Sequence, residues 1–294
     1  MQLRTPWKFR VTRMRSLCRS FPVVLCFLAA QGVPAAAAKL TNQTLDGFTR
    51  YVQATEARID REVSRPEDFL YIDRLAPDRR SQVAAELRRG GLFMERLVTR
   101  NQAGRELEAP GGLIHHWIGD VFIPGASIRE VLDFAQDYNH HQDYYPEIVR
   151  SRLVSRDGPD FKIFYRMRKH KLITVTLDTD HDVRYTRLDD AHWSSRSVST
   201  RIAEVVDAGG PNEHEDPVGD DSGFLWRINS YWRFVARDGG VYVECESISL
   251  TRDIPTGFGW LIGPFVTSIP KESLESTLSV TRSGVLNLVA MRRK

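Results

Sequence analysis

Eight histidines and three cysteines are the first side chains to weigh for chemistry in this 294-residue chain. His140 and His141, with Asp137, Asp143 and Glu147 nearby, have the donor types of a metal site. Adjacent side chains point apart, however, and no His-x-x-x-His or Cys-x-x-Cys spacing accompanies them, so no metal is expected. His115 and His116 lie in an alternating segment, where the two rings must face opposite sides of a sheet. Cys18 and Cys26 fall in the first forty residues, which leaves Cys245 alone between Glu244 and Glu246. Flanking carboxylates raise a thiol pKa, so a buried structural cysteine is expected rather than a nucleophile. There is no Gly-x-Ser-x-Gly elbow. The run Gly257-Phe258-Gly259-Trp260-Leu261-Ile262-Gly263 looks like a phosphate-cradling loop. Its spacing misses G-x-G-x-x-G by one residue, Pro264 follows, and no parallel strand comes after it. No cofactor is expected.

The polar residues Arg196, Arg201, Arg227, Asn229 and Arg233 interleave with apolar ones on predicted strands. They read as a solvated face or cross-strand ion pairs, or as one buried arginine holding a carboxylate or phosphate headgroup. The segment 207–222, rich in Gly, Pro, Asp and Glu and carrying His214, reads as a surface connection beside the mouth of any cavity. Asn42-Gln43-Thr44 matches a glycosylation sequon but is more simply a helix cap.

Charge and hydropathy frame these candidates. Residues 1–38 hold six of the 41 bases and none of the 38 acids, so residues 39–294 carry a net charge of −3 and no basic footprint for nucleic acid. The basic stretch ending at Arg19, the apolar run Phe21–Ala30 and the small residues Ala35–Ala38 predict a leader over 1–38, cleaved before Lys39. An exported protein, periplasmic or secreted, is the expectation. A start at Met14 would serve as well.

The elements that must position the candidates fall into two regions. Residues 39–110 predict a helical extension: one helix carries Leu45, Phe48, Val52, Ile59 and Val63 up to Pro66, and a second runs from about Asp78 to Val98. From 111 to 294 the period changes to two. Strands are predicted over 114–123, 149–156, 161–169, 172–188, 192–206, 224–237 and 241–252, with Ser127 and Glu130 boxing the start of a short helix after the first. A long helix closes the chain, with Pro270 suited to its first turn and Leu274, Leu278, Val285, Leu288 and Val289 on one face. The fold class is α+β: a curved antiparallel sheet of about seven strands wrapped on a long C-terminal helix. One helix covering a curved sheet predicts a hydrophobic cavity between them.

Three stretches in 113–290 resemble the START-like, helix-grip (SRPBCC) superfamily, which includes START lipid-binding proteins, polyketide cyclases and coenzyme Q-binding proteins. They are Asp137–His141 with Tyr145–Val149, Tyr242–Ser247, and Arg252–Pro255 with Gly259-Trp260-Leu261 and Pro264. The resemblance implies a cavity ligand, a lipid, isoprenoid or other hydrophobic small molecule, with peripheral membrane contact left open. Strand parity places Tyr165, Met167, Val175, Leu177, Trp226, Ile228 and Trp232 on the cavity wall, with Trp260, Leu274 and Leu278 from the approach to and face of the last helix. Without a catalytic constellation, a binding or carrier protein is expected. The alternatives are a polyketide cyclase or aromatase using Tyr165, His181 or Arg201 as proton donors, and an envelope interaction module docking through residues 40–108.

Overall fold

A computed structural model describes residues 38–171, 173–253 and 259–292, with the backbone alone for 259–267. Most of the predicted leader and the 254–258 approach to the last helix lie outside the described residues. So does the side chain of Trp260.

After a two-residue strand, β1 (Ala38–Lys39), α1 (Asn42–Val63) starts where the Thr41 hydroxyl accepts the Thr44 amide at 3.2 Å. It buries Phe48, Tyr51, Thr55 and Ile59, spaced by three and four along one face. Pro66 opens two short 3-10 turns, 66–68 and 71–74, and α2 (Pro77–Arg88) has proline at its first position. The second helix therefore stops well short of Val98. Gly90 takes φ +93°, a left-handed conformation that ends the helix, and Leu92–Arg96 becomes strand β2. Phe93 then points to one face of the sheet while Leu92 and Met94 point to the other.

The remaining order is β3 (Gly112–Pro124), α3 (Ile128–Ala135), α4 (His141–Tyr144), β4 (Ile148–Asp157), β5 (Asp160–His170), β6 (Thr174–Arg187), β7 (His192–Val206), β8 (His214–Glu215), β9 (Asp220–Asp221), β10 (Arg227–Arg237), β11 (Gly240–Arg252) and α5 (Gly259–Arg292). All seven expected strands are present. They form an antiparallel sheet in the order β2-β3-β11-β10-β7-β6-β5-β4, to which β8 adds beside β7, while β1 pairs separately with β9. The capping box at Ser127 and Glu130 closes as expected, the two amides bonding the opposite side chains at 3.3 and 2.8 Å. The last helix starts earlier than expected, so Pro270 lies in its interior rather than in its first turn. The described residues fall in one compact unit, with the extension giving β2 to the sheet.

α5 touches strands far apart. Arg282 donates to the Phe122 carbonyl of β3 at 3.0 Å, and Ser273 accepts from Lys169 of β5 at 3.2 Å. Those strands lie five places apart, roughly 24 Å at normal strand spacing. A helix about 10–12 Å wide reaches both because the sheet curves around it. The inner face packs Val121, Ile123, Phe161, Val183, Phe234 and Val243 against Leu274, Leu278, Val285 and Val289.

Over β3, β11 and β10 the outer face is covered by the extension. Phe69, Leu70, Leu87 and Phe93 pack on Phe122, Val235 and Tyr242, while Phe48, Tyr51 and Ile59 pack on Tyr231, Ile248 and Leu250. Between these clusters lies a buried ionic network. Arg233, 1% exposed, contacts Glu244 at 2.9 Å, Glu62 at 2.8 Å and Glu246 at 3.7 Å, and donates to the Phe69 carbonyl at 2.8 Å. Burial works against the Glu246 carboxylate, but His116 at 2.7 Å and Arg58 hold its pKa down to about 2. Asp120 stands directly opposite Glu244 on the neighbouring strand, wholly buried, and neither of its oxygens meets a donor. Burial and the facing Glu244 raise its pKa well above the usual carboxylate range. Proton uptake by Asp120 is therefore favoured over a second buried charge beside Glu244.

Arg233→Ala, which strands Glu244 and Glu246 without their shared cation, is expected to lower unfolding free energy by about 3–5 kcal/mol in urea titrations. The raised Asp120 pKa contributes stability that is complete below about pH 4 and is lost as pH rises toward its folded pKa. Asp120→Asn removes the titrating group, so unfolding measured from about pH 4 upward should lose that decline.

Candidate functional site

Cross-strand register lays small hydroxyls across the middle of the inner face. Trp117 lies opposite Ser247, Ser247 opposite Ser230, and Ser230 opposite Ser197. The adjoining row runs Gly119, Cys245, Trp232, Ser195. Toward the carboxyl end of α5 the layer is filled: Val121, Ile123, Phe234, Val243 and Val285 are each 1% exposed or less. Around the serine rows the large side chains Trp117, Trp193 and Trp232 remain half-buried, as do Ser197, Ser230 and Ser247. A serine that faces a helix across a sheet leaves volume that leucine or phenylalanine would occupy.

The site side chains sort by face. Tyr165, Met167, Val175 and Leu177 share the inner face of β5 and β6, with Tyr165 opposite Thr179 and Met167 opposite Leu177. These four, with Ile228 and Trp232 on β10, are half-buried, and Leu274 and Leu278 of α5 are buried at 5% and 0% exposure. Trp226 is elsewhere. It precedes the first paired residue of β10, its indole donates to Asp221 at 3.0 Å, and its ring packs with Phe48 and Tyr51 on the outer face. Strand parity does not hold across that bend. Trp260 lies outside the described side chains.

A second set of inner-layer groups surrounds Tyr165. Its hydroxyl bonds His141 Nδ1 at 2.8 Å. Tyr138 and Tyr185 bond through their hydroxyls at 2.9 Å, Tyr145 bonds Thr281 of α5 at 2.9 Å, and His181 Nε2 bonds Thr179 at 3.0 Å. Burial raises the Tyr138 and Tyr165 hydroxyls well above the usual phenol range and pushes Tyr185 up to about 12. Burial also lowers His181 to about 4, and it lowers His141 to about 4 by outweighing the pull of the Phe134 and Ala135 carbonyls. At neutral pH every member of this set is uncharged. The cluster can offer hydrogen bonds, and each member already has a partner.

The other candidates are structural by placement. His140 is exposed against Asp137 at 2.7 Å, turned away from its neighbour His141. His115 faces inward to Thr251 at 3.0 Å, while His116 faces outward between Tyr51 and Glu246. Cys245 is buried, and burial raises its thiol pKa further than the adjacent carboxylates do. Arg201 pairs with Asp180 at 3.7 Å on the outer face, so it does not join Tyr165 and His181. The reason is a bulge: Thr200 is the extra residue of β7, and parity reverses there. Arg233, the deeply buried arginine, spends its charge on protein carboxylates.

Two hollows stand out among the described residues, and both open to the surface. One, about 590 Å³, lies where α5 meets the β5–β6 turn and is lined by Glu147, Val149, Arg168, Lys169, Lys171 and Glu272. The other, about 350 Å³, lies over β4 to β7 beside Phe161 and Arg184. The hydrophobic cavity expected between sheet and α5 is not among these hollows, and the carboxyl half of that space is filled by side chains. The half-buried inner wall belongs to its amino end.

No family model and no curated protein matches the chain. Solved structures similar to it include a STAR-related lipid transfer protein fragment from Xanthomonas axonopodis, at 17% identity over 65% of this chain and 98% of that one, TM-score 0.41. A START superfamily protein from Mycobacterium smegmatis is similar at 12% identity over 60% and 98%, TM-score 0.40. Zhui aromatase/cyclase from Streptomyces sp. R1128 is similar at 13% identity over 62% and 97%, TM-score 0.38. By the order of its own elements, strand, two short helices, six antiparallel strands of the main sheet and a long closing helix, the chain has the START-like helix-grip fold.

Adjacent histidines should titrate oppositely. In imidazole NMR spectra His140, held charged by Asp137, is expected to titrate above its ordinary value of 6.5, while His141 and His181 stay neutral down to about pH 4. The unfolded chain protonates these two rings near 6.5, so their contribution is complete above that pH and is lost as pH falls toward 4.

Proposed function

We propose that the protein, after export by its predicted leader, carries an uncharged apolar small molecule such as a lipid or isoprenoid. The ligand lies on the inner face at the amino end of α5, without covalent chemistry. One observation supports the reading above the others: three half-buried tryptophans frame a floor of serines inside a layer whose carboxyl end is filled. Aromatic walls supply apolar area and serines supply neutral hydrogen bonds, the combination that seats an apolar ligand with a few oxygen atoms. No described arginine or lysine reaches this floor, which argues against a carboxylate or phosphate headgroup there.

The enzyme reading draws on Tyr165 and His181, whose rings meet edge to face at 5.7 Å in the same layer. Their hydrogen bonds are satisfied within the protein, and at neutral pH neither is close to giving or taking a proton. The carrier reading is therefore preferred. The module reading keeps less support, since the apolar faces of α1 and α2 are already spent on the sheet.

Native mass spectrometry of freshly purified protein should show a bound apolar molecule that organic extraction removes. Ser230→Trp, which fills the floor, should cut uptake of an added fluorescent lipid by at least about tenfold while near-UV circular dichroism is retained. Protein that is empty when purified and takes up no lipid probe would refute the proposal.

A further inference from the structure

The turn between β5 and β6 is dressed differently from the rest of the surface. Arg168, Lys169, His170 and Lys171 follow one another, and Ile173 beyond them is 55% exposed. On the adjoining strand Val149 is 40% exposed beside the exposed Arg150. At this tip the Lys171 amide donates to the Ile173 carbonyl at 3.1 Å and the Arg168 amide to the Glu147 carbonyl at 2.7 Å. Two carboxylates face it. Lys169 pairs with Glu147, which also accepts from Ser273, and Lys171 pairs with Glu272 at 2.6 Å. All four charged groups keep between 21% and 40% of their side-chain surface in solvent. Such pairs contribute little and exchange readily with other anions.

We propose that this tip, with Val149 and Ile173 as apolar feet and Arg150, Arg168, Lys169 and Lys171 as the basic ring, docks on an anionic lipid bilayer. A basic patch on a protein body of net charge −3 orients the molecule, turning this end toward a negative surface and the rest away. Exposed aliphatic side chains within that ring separate a bilayer from a merely polyanionic partner, since only the bilayer offers them an apolar phase. Among the described residues no helix is long and apolar enough to cross a membrane, so the attachment is peripheral. The same end carries the 590 Å³ groove and Glu272 and Ser273 of α5. The inference does not depend on which molecule the inner face holds.

Flotation of the full chain with phosphatidylcholine vesicles, with and without about 30% phosphatidylglycerol, tests the surface. Binding is expected to the anionic vesicles alone and to weaken as salt is raised. Arg168→Glu and Lys171→Glu should each reduce partitioning at least about fivefold, and Ile173→Ser by about tenfold. Near-UV circular dichroism of each variant checks that the fold is kept, and Arg150→Glu, on a different strand, repeats the test should a turn variant fail. Variants that bind as the parent does would assign the binding to another part of the chain and overturn the proposal. So would equal binding to neutral vesicles. Loss in the charge variants with no loss in Ile173→Ser, together with competition by duplex DNA, would make the tip a polyanion site and overturn it as well.

Discussion

Arg233 holds Glu62, Glu244 and Glu246 together in a place water does not reach, and the arrangement of both faces of the sheet depends on it. Removing charges from water costs more than their mutual attraction returns unless each is fully bonded. Here Glu62 comes from α1, the Phe69 carbonyl from a 3-10 turn and the other carboxylates from β11, so satisfying the arginine requires the extension to lie on the sheet. Arg58 and Arg74 pair with Glu62, Arg58 and His116 pair with Glu246, and the raised pKa of Asp120 disfavours a further charge beside Glu244. The network is specific rather than strong: it fixes where α1 lies, while the apolar clusters beside it supply the driving force.

Covering the outer face over β3, β11 and β10 leaves the inner face to work with. There the side chains grade from a filled end, where Val285 and Val289 of α5 meet Ile123 and Val243, to a half-buried end floored with serine. The grading has a geometric cause. A sheet curved around one helix is closest to it along part of its length and diverges elsewhere, and small residues on the floor widen that gap. Neutral tyrosines and histidines at the margin bond one another in pairs, which allows them to be buried without charge.

The sheet was largely legible because alternation and turn chemistry are local. Phe161, Ile163, Tyr165 and Met167 declare a strand by themselves, as does the capping box at Ser127 declare a helix start. The second helix of the extension was misread because Leu92, Phe93 and Leu97 fit a helical stripe as well as a strand edge. The left-handed turn at Gly90 and the vacant edge of β3 settled it as a strand. Trp226 lies on the opposite face from the one parity gives because the chain bends there, just before β10 begins. The serine floor escaped notice since Ser195, Ser197, Ser230 and Ser247 look like a solvated face one strand at a time, and they become a floor only when their rows are brought side by side.

From the residues alone followed what short-range physics decides: the element order, the strands, the caps and the uncharged character of the predicted wall. Tertiary structure decided which way each face points and what meets it. Arg233 could as well have held a ligand carboxylate, and the carboxylates it does hold come from positions up to 171 residues away. Contacts over such separations carry no local pattern. They arise from pairing register, bulges such as the one at Thr200 and the burial of charge, quantities that exist only once the chain has folded.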